Sequence, residues 1–454
     1  MAATPSSLRP AASPFPMLPK GTEFLDAFII DVNGNMLGKR LPADAYAGAF
    51  EQGVQFSQSA LVHDAIGHGQ NPLGIGGSDG DPDGTGYPIP WTVKQVTWAK
   101  APTVQFVLEL KDPATGRPLW YDPREILRGV IERCRADGLN PVVACELEFY
   151  LISPERDAVG LAIPPVSPLT GHIERASRNL SVQQVEDYHP FLAAVYEACR
   201  AQGVAASTLV AEYGLGQFEV NLDHTPDVMR AADEAALLRR IVKGVARAQG
   251  RDATFMSKPF LDLPGNGFHV HVSLADAKGR NRMGEEGGDK LLHGTIAGCQ
   301  AMLRETMAFY APNFSAYRRY APGLYAPMNR HWAHNNRSVA FRVPAATGQA
   351  RRLEHRVASA DASPHLVLAA LLASLHHGIT RGLEPTPPVT GNVGGDRDPT
   401  FPADLFTALQ ALESAAILRD YLPPRFPQLY SELKRNEFAE VMRAIGAHEY
   451  DYYL

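Results

Sequence analysis

The chain has 454 residues, of which 45% are hydrophobic and 20% charged, a composition that supports a sizeable core and more than one domain. Its net charge is −6 and it contains no block of lysines or arginines, so neither nucleic acid nor an anionic membrane surface is expected as a partner. No apolar run approaches the roughly 18 residues that a membrane-spanning helix needs. The four cysteines lack C-x-x-C spacing, which predicts reduced thiols in a cytoplasmic protein and no thiolate metal site.

The first 20 residues are rich in Pro, Ala and Ser and lack the apolar segment of a secretory signal. We therefore expect residues 1–20 to form a disordered tail, with a transit peptide as the alternative.

A small β-rich domain is predicted over residues 21–112. Residues 24–41 contain two β-prone runs around Asn33 and Gly34, a pair that is typical of a hairpin with a type I′ turn. The Gly/Asp-rich segment 74–86 is expected to be a loop. Further β-prone runs lie at residues 87–93 and 104–110.

A second domain is predicted over residues 118–454, because a helix signal marks its start. Asp122 can serve as N-cap, Pro123 as the first helical residue, Glu125 as the capping-box partner and Gly138 as the stop. Strand-like and helical patterns then alternate. The predicted helices lie near residues 183–202, 229–249, 291–310 and 363–381, and helices dominate the last 50 residues.

Four strand-like segments of this second domain each have one polar and one mostly apolar face, since alternate residues of a strand share a face. The polar faces carry Glu146 and Glu148; Gln217, Glu219 and Asn221; His269, His271 and Ser273; and Arg352, Glu354 and Arg356. Solvent faces of antiparallel strands alternate in the same way, but they rarely carry paired histidines or Arg-x-Glu-x-Arg. We therefore predict that these faces line a functional site.

The residue types narrow the chemistry of this site. Carboxylates and imidazoles without thiolates suit Mg²⁺ or Mn²⁺ better than structural zinc. Arginines beside such ions indicate phosphate, because guanidinium groups match phosphate oxygens. No Walker-type loop occurs, and no G-x-G-x-x-G loop follows a strand, so a nucleotide is expected to be held by metal ions and arginines.

Nearly the whole chain resembles the glutamine synthetases of the bacterial type, and within them the branch of γ-glutamylamine (γ-glutamylpolyamine) synthetases. The segments that carry the resemblance are FLDAFIIDVNGNMLGKRL, CELEFYLI, EYGLGQFEVNL, GNGFHVHVSL, NNRSVAFRVP, RRLEHRVASADASPHLVLAALLASLHHGI and the terminal EYDYYL, in this order. The resemblance implies an α+β fold, with a small β-grasp N-terminal domain and a catalytic domain whose curved antiparallel sheet is backed by helices. It also implies a dodecamer of two hexameric rings, with each active site between a catalytic domain and the neighbouring subunit's N-terminal domain.

The resemblance also assigns roles to residues, motif by motif. A first metal site would contain Glu148, Glu212 and Glu219, and a second Glu146, His269 and Glu354. The phosphate-handling arginines would be Arg337 and Arg342, and the glutamate-binding residues Gly265, Arg319 and Arg356. The nucleotide and phosphate region would include His271, Ser273 and Arg352. Two or more Mg²⁺ or Mn²⁺ ions per subunit and ATP as co-substrate are implied.

The reaction implied is ATP-dependent ligation. The γ-carboxylate of L-glutamate attacks the γ-phosphate of ATP, and an amine displaces phosphate from the resulting γ-glutamyl phosphate.

Two departures from the family pattern predict which amine class is used. Ser57 and Tyr325 stand where ammonia-using members carry carboxylates, and a small cation such as ammonium needs nearby negative charge to offset its desolvation. We therefore expect an organic amine, such as a polyamine, an alkylamine or an aromatic amine. A further departure, Pro264 in the glutamate-binding loop, leaves recognition of the glutamate α-groups open.

Two alternatives are retained. In the first, Tyr325 only packs the flap and the protein is a glutamine synthetase that uses ammonia. In the second, the protein is a non-catalytic structural or regulatory relative, although all six predicted metal positions keep Glu or His.

Overall fold

A computed structural model describes residues 15–173 and 179–454. Residues 1–14 of the expected tail therefore lie outside the described residues. The next residues contact the N-terminal domain, because Phe15 stacks on Phe50 with ring centroids 4.5 Å apart. The hydroxyl of Tyr46 donates to the carbonyl oxygen of Pro16 at 2.7 Å.

The N-terminal domain is built on a six-stranded sheet in the order β2-β1-β6-β4-β3, with β5 paired to β6. The central strands β1 and β6 are parallel and the other pairs are antiparallel, an arrangement consistent with the β-grasp domain that the resemblance implies. The elements are β1 (Phe24–Ile30), β2 (Met36–Pro42), α1 (Tyr46–Glu51), β3 (Val54–Ser57), β4 (Asp83–Pro88), β5 (Lys94–Gln95) and β6 (Thr103–Lys111).

The predicted hairpin is present, but its turn is not of type I′. In the described loop 31–35 only Gly34 has a positive φ, of 75°, whereas a type I′ turn needs positive φ at both central residues. The cause is a side chain: Oδ1 of Asp31 accepts from the backbone N–H of Asn33 at 2.9 Å and of Asn35 at 2.7 Å. The carboxylate thus satisfies the loop amides in a longer turn.

The predicted loop 74–86 is too long, because β4 begins at Asp83. Two glycines allow this strand to lie between its neighbours. A Cβ atom on Gly84 would lie 3.0 Å from the side chain of Leu110, and one on Gly86 3.1 Å from that of Leu108. The glycines of this segment predict a loop, but Gly84 and Gly86 instead permit close packing of β4 against its neighbour.

The second domain contains an eight-stranded sheet in the order β12-β13-β14-β11-β7-β9-β8, with β10 also paired to β7. It is a mixed sheet and not the purely antiparallel one expected, because β12 and β13 are parallel. The strands are β7 (Asn140–Ile152), β8 (Ala206–Ala211), β9 (Gln217–Leu222), β10 (Asp252–Thr254), β11 (Phe268–Ala275), β12 (Trp332–His334), β13 (Phe341–Val343) and β14 (Leu353–His355).

The helices of this domain are α2 (Pro123–Ala136), α3 (Val182–Asp187), α4 (His189–Gln202), α5 (Val228–Ala248), α6 (Asp289–Tyr310), α7 (Pro364–Thr380), α8 (Leu405–Glu413), α9 (Phe426–Val441) and α10 (Ala447–Tyr453). Of these, α2, α5 and α6 contact strands β7 and β14 of the sheet, and α7 packs against all three of these helices. The helices α6 and α7 approach so closely that a Cβ atom on Gly298 would lie 1.9 Å from the carbonyl oxygen of Ser374. None of the described helices combines the length and apolar content needed to cross a bilayer.

The helix predicted over residues 183–202 is interrupted and forms α3 and α4. Pro190 lies in the first turn of α4, and its missing N–H and its ring prevent a continuous helix through this point. In α2, Asp122 caps the helix by accepting from the backbone N–H of Arg124 at 2.8 Å. Glu125 pairs with Arg128. The four cysteines are buried and free of disulfides.

Candidate active site

Strand register brings the predicted polar faces together. His269 of β11 lies opposite Glu146 of β7, and Glu148 of β7 lies opposite Glu219 of β9. On the other side of β11, His271 lies opposite Glu354 of β14. Residues that are far apart in the sequence therefore become neighbours across four adjacent strands.

The first group of side chains consists of Glu146, Glu219 and His269, whose ligand atoms lie within 4.8 Å of one another. Nδ1 of His269 is 3.5 Å from Oε2 of Glu146 and 3.8 Å from Oε2 of Glu219. Its other nitrogen, Nε2, is 3.9 Å from Oε1 of Glu148. The imidazole thus lies among three carboxylates.

The second group consists of Glu146, His271 and Glu354, also within 4.8 Å. Nε2 of His271 is 2.7 Å from Oε1 of Glu146, and Nε of Arg352 donates to Nδ1 of His271 at 3.0 Å. Glu146 therefore belongs to both groups. The resemblance had placed His271 only with the nucleotide.

The carboxylates of the first group repel one another. Burial raises the pKa of Glu219 well above its usual range, and the charges of Glu146, Glu148 and Glu212 raise it further. Burial and the charge of Glu148 raise the pKa of Glu212 to about 7. A divalent cation among these oxygens would offset the repulsion, so the residues fit a hard metal ion.

The two histidines lower the pKa of Glu146, in contrast to the raised pKa values of Glu219 and Glu212. Burial opposes its charged form, but hydrogen bonds from His269 and His271 outweigh burial and hold its pKa well below the usual range. Glu146 is therefore an anion in the folded protein.

Two arginines bind Glu354 from either side. Nη1 of Arg342 lies 2.6 Å from Oε2 of Glu354, and Arg356 donates to Oε1. Burial opposes the charge on Glu354, but the charge of Arg356, followed by those of His269 and His271, lowers its pKa to about 2. Arg319, which is also buried, donates to the carbonyl oxygen of Val357 at 2.7 Å.

A cavity of about 280 Å³ opens beside the first group. The predicted site residues that line it are Glu148, Glu212, Glu219, Gly265, His269, Arg319, Tyr325, Arg337 and Arg356. Gln217, from one of the predicted polar faces, and Pro264, from the predicted glutamate-binding loop, also line it. The lining residues that the sequence did not predict are Asn179, Leu180, Tyr213 and Leu324. Of these, Tyr213 could have been found, because it directly follows Glu212 in the EYGLGQFE motif.

A second cavity, of about 390 Å³, contains Ser273 and Arg352. It lies on the far side of His271, whose ring centroid is 6.2 Å from that of His224, another lining residue. Two of the predicted nucleotide residues, Ser273 and Arg352, thus line a different cavity from the predicted glutamate residues, whereas Arg337 shares the cavity of the latter.

Ser57 lines neither cavity and, unlike the other predicted site residues, lies in the N-terminal sheet. It is at the end of β3, where its hydroxyl accepts from the hydroxyl of Ser59 at 3.3 Å. Within one subunit, the described residues do not bring Ser57 to the catalytic sheet.

Comparison with known proteins now decides the family. A family model described as "Glutamine synthetase, catalytic domain" matches residues 120–453. The chain belongs to the glutamine synthetase family. Within the family, the γ-glutamylputrescine synthetase of Escherichia coli (strain K12) is 36% identical over 435 residues, which cover 95% of this chain and 92% of the relative. A glutamine synthetase of Pyrococcus abyssi is 29% identical and covers 94% of this chain and 93% of that relative.

A solved structure described as "Apo GmaS without ligand" has the same fold. It superposes with a TM-score of 0.81 at 25% identity and covers 95% of this chain and 96% of that structure. The family and the α+β fold predicted from the sequence are confirmed.

Proposed function

We propose that this protein is an ATP-dependent ligase that joins the γ-carboxylate of L-glutamate to an organic amine and releases ADP and phosphate. The observation that carries the proposal is the cavity in which carboxylates, His269 and three arginines meet beside a half-exposed tyrosine. The 36% identity to a γ-glutamylputrescine synthetase supports the same reaction type.

Two or more Mg²⁺ or Mn²⁺ ions would be held by five carboxylates of the site and by the imidazole of His269. The ligands proposed are Glu146, Glu148, Glu212, Glu219, His269 and Glu354. Such ions, when bound, offset charge on the phosphates of ATP. The oxygen and imidazole donors and the mutual repulsion of the carboxylates support this assignment.

The arginines would bind the anionic reactants. Arg319 and Arg356 line the cavity with Gly265 and are proposed to hold glutamate, while Arg337 and Arg342 would stabilise the transferring phosphoryl group. His271, Ser273 and Arg352 would face the nucleotide, a role supported by the second cavity.

The proposed reaction has two steps. An oxygen of the γ-carboxylate forms a bond to the γ-phosphorus of ATP and the bond to ADP breaks, which gives γ-glutamyl phosphate. The amine nitrogen then bonds to the carbon of the γ-carboxyl group (Cδ), the bond from this carbon to the phosphate oxygen breaks, and the nitrogen gives up a proton. The acyl phosphate makes the carboxyl group reactive toward the amine.

Tyr325 supports an organic amine over ammonia. It occupies the position of a flap carboxylate in ammonia-using members, lines the cavity and is 57% exposed. A phenol supplies less negative charge for ammonium, but it can pack on a carbon chain.

The test is a substrate panel. Phosphate release is followed with glutamate, ATP and Mg²⁺ plus ammonium, ethanolamine, putrescine, spermidine, isopropylamine or aniline, and the γ-glutamyl product is identified by mass spectrometry. We expect one or more organic amines to give higher kcat/KM than ammonium. Higher kcat/KM with ammonium than with every amine would identify a glutamine synthetase, and no phosphate release with any acceptor would favour a non-catalytic relative.

We also propose that the protein assembles into rings, as a dodecamer of two hexamers, so that Ser57 completes a neighbour's site. The position of Ser57 outside both cavities of its own subunit supports this. A Ser57→Trp variant and a Glu354→Ala variant should each be inactive, and refolding them together should restore part of the activity at mixed interfaces. A protein that is monomeric by light scattering and still fully active would contradict the proposal.

A further inference from the structure

Two tyrosines from distant segments stack at the mouth of the candidate active site. Tyr213 lies in the turn between β8 and β9, directly after Glu212, and Tyr325 lies in the connection between α6 and β12. Their ring centroids are 5.5 Å apart and their planes differ by 19°. The side chains are 44% and 57% exposed, so both rings reach the cavity and the solvent.

The pair is held in place by the surrounding structure. A hydrogen bond with the hydroxyl of Tyr325 raises the pKa of Tyr213, and the side chain of Asn179 is a further hydrogen-bond partner of Tyr213. Tyr325 has a φ of 55°, a left-handed conformation that is unfavourable for an aromatic residue and costs about 1–3 kcal/mol. Such a backbone strain persists only where other contacts fix the residue.

The lining of the cavity is chemically mixed. It includes the carboxylates of Glu148, Glu212 and Glu219. Leu180 and Leu324 also line it, together with the two tyrosines, and add apolar and aromatic surface. A molecule that matches this lining has a polar amine end and a carbon chain.

We propose that Tyr213 and Tyr325 form the wall that binds the aliphatic chain of a primary amine, and that Tyr213 is a specificity-determining residue. This inference rests on the proposed ligase function. Ammonia has no carbon to bury, whereas each methylene group placed against the wall strengthens binding about fourfold. The wall therefore favours an alkylamine or an aliphatic diamine over ammonia.

The experiment compares kcat/KM for ammonium, butylamine and 1,4-diaminobutane at saturating glutamate and ATP. Tyr213→Ala should raise the KM for both organic amines about tenfold, which corresponds to loss of one aromatic contact, and should leave the KM for ammonium unchanged. Tyr213→Phe keeps the aromatic face and should behave like the wild type. Tyr196→Ala removes a partly buried tyrosine of α4 that lines neither cavity and serves as control.

Comparing the two amines shows whether the second ammonium group of the diamine also contacts the wall. An equal rise in KM for butylamine and 1,4-diaminobutane would show that the wall contacts only the methylene chain. A larger rise in KM for the diamine would add a contact between its second ammonium group and the tyrosine faces. Both results support the proposal.

Two results would overturn it: an equal rise in KM for ammonium, or a loss in Tyr213→Phe as large as in Tyr213→Ala, which would assign the role to the hydroxyl. If Tyr213→Ala is unstable in a thermal melt, Tyr325→Ala tests the same wall by removing the other ring. If the wild type forms no γ-glutamyl amide with any amine, the proposed function itself fails. If the variants form the γ-glutamyl amide with the amine selectivity of the wild type, the aromatic wall is contradicted but the proposed ligase function is not.

Discussion

Nε2 of His271 lies 2.7 Å from Oε1 of Glu146. The guanidinium of Arg352, which can only donate, binds the other ring nitrogen of this histidine at 3.0 Å. In a neutral imidazole Nδ1 is then the acceptor, so Nε2 carries the proton and donates to Glu146. His271 thus orients a proposed metal ligand in addition to facing the proposed nucleotide cavity.

Replacing His271 by Ala should weaken metal binding. Loss of a hydrogen bond that orients a ligand lowers metal affinity by about 10–100-fold. Isothermal titration calorimetry with Mn²⁺, in the absence of nucleotide, measures the effect. Ser273→Ala, two residues along the same strand face, is the matched control and should keep wild-type affinity. Equal affinity of His271→Ala and Ser273→Ala for Mn²⁺ would show that His271 does not act on the metal site.

Glu354→Ala should abolish ligation without dissociating the assembly. The change removes a proposed metal ligand and leaves Arg342 and Arg356 facing one another without their shared carboxylate. We expect phosphate release to fall by about 100-fold or more. Size-exclusion chromatography checks the assembly, and the exposed Glu384→Ala provides the control. Phosphate release within a few-fold of wild type would remove Glu354 from the metal site.

Asp31 should make stability depend on pH. Burial raises the pKa of its carboxyl from 3.8 to about 7, although the N–H groups of Asn35 and Asn33 oppose the rise. Because the folded state favours the protonated form, the wild type should lose stability as the pH rises from 3.8 to about 7, by about 1.4 kcal/mol for each unit of the shift.

Asp31→Asn tests this, because the amide is isosteric and does not ionise. In urea denaturation the variant should match the wild type near pH 4 and exceed it above pH 7. Asp44→Asn, at an exposed position, should give a profile parallel to that of the wild type. A constant difference between Asp31→Asn and the wild type at all pH values would exclude this role.

Arg124→Met should strongly destabilise the fold. The guanidinium of Arg124 binds the buried carboxylate of Asp233, which also lies 2.9 Å from Nε2 of His365. Removing one partner of a buried pair leaves an uncompensated charge and costs about 3–5 kcal/mol. Urea unfolding should show a clear drop in midpoint. Arg443→Met breaks an exposed pair with Glu440 and should change stability by less than about 1 kcal/mol; equal effects would contradict the prediction.

Much of the site could be predicted from alternation along single strands, because residues two apart share a face whatever the fold. Glu146 and Glu148 illustrate this: the sequence predicts their common face. Which residues meet across strands depends on register, which no single segment contains. The partnership of Glu146 with His271 therefore emerged only in the structure, as did the stacking of Tyr213 on Tyr325.

The errors of the sequence analysis have local causes. Asn33-Gly34 predicts a hairpin correctly, but the carboxylate of Asp31 selects a different turn. The glycines of β4 predict a loop when read alone. The crowding that requires them comes from β6, which is distant in the sequence, so the sequence does not reveal it. A side-chain contact within the loop decided the first case, and a tertiary contact decided the second.

The position of Glu146 in both ligand groups has a thermodynamic consequence. Its Oε1 faces His271 while its Oε2 faces His269, and a carboxylate that turns toward one side changes what it offers to the other. An ion bound at one group would fix that orientation and so alter the affinity of the other group by a reciprocal factor. We therefore expect the occupancies of the two groups to be coupled, so that a titration with metal ions deviates from two independent sites.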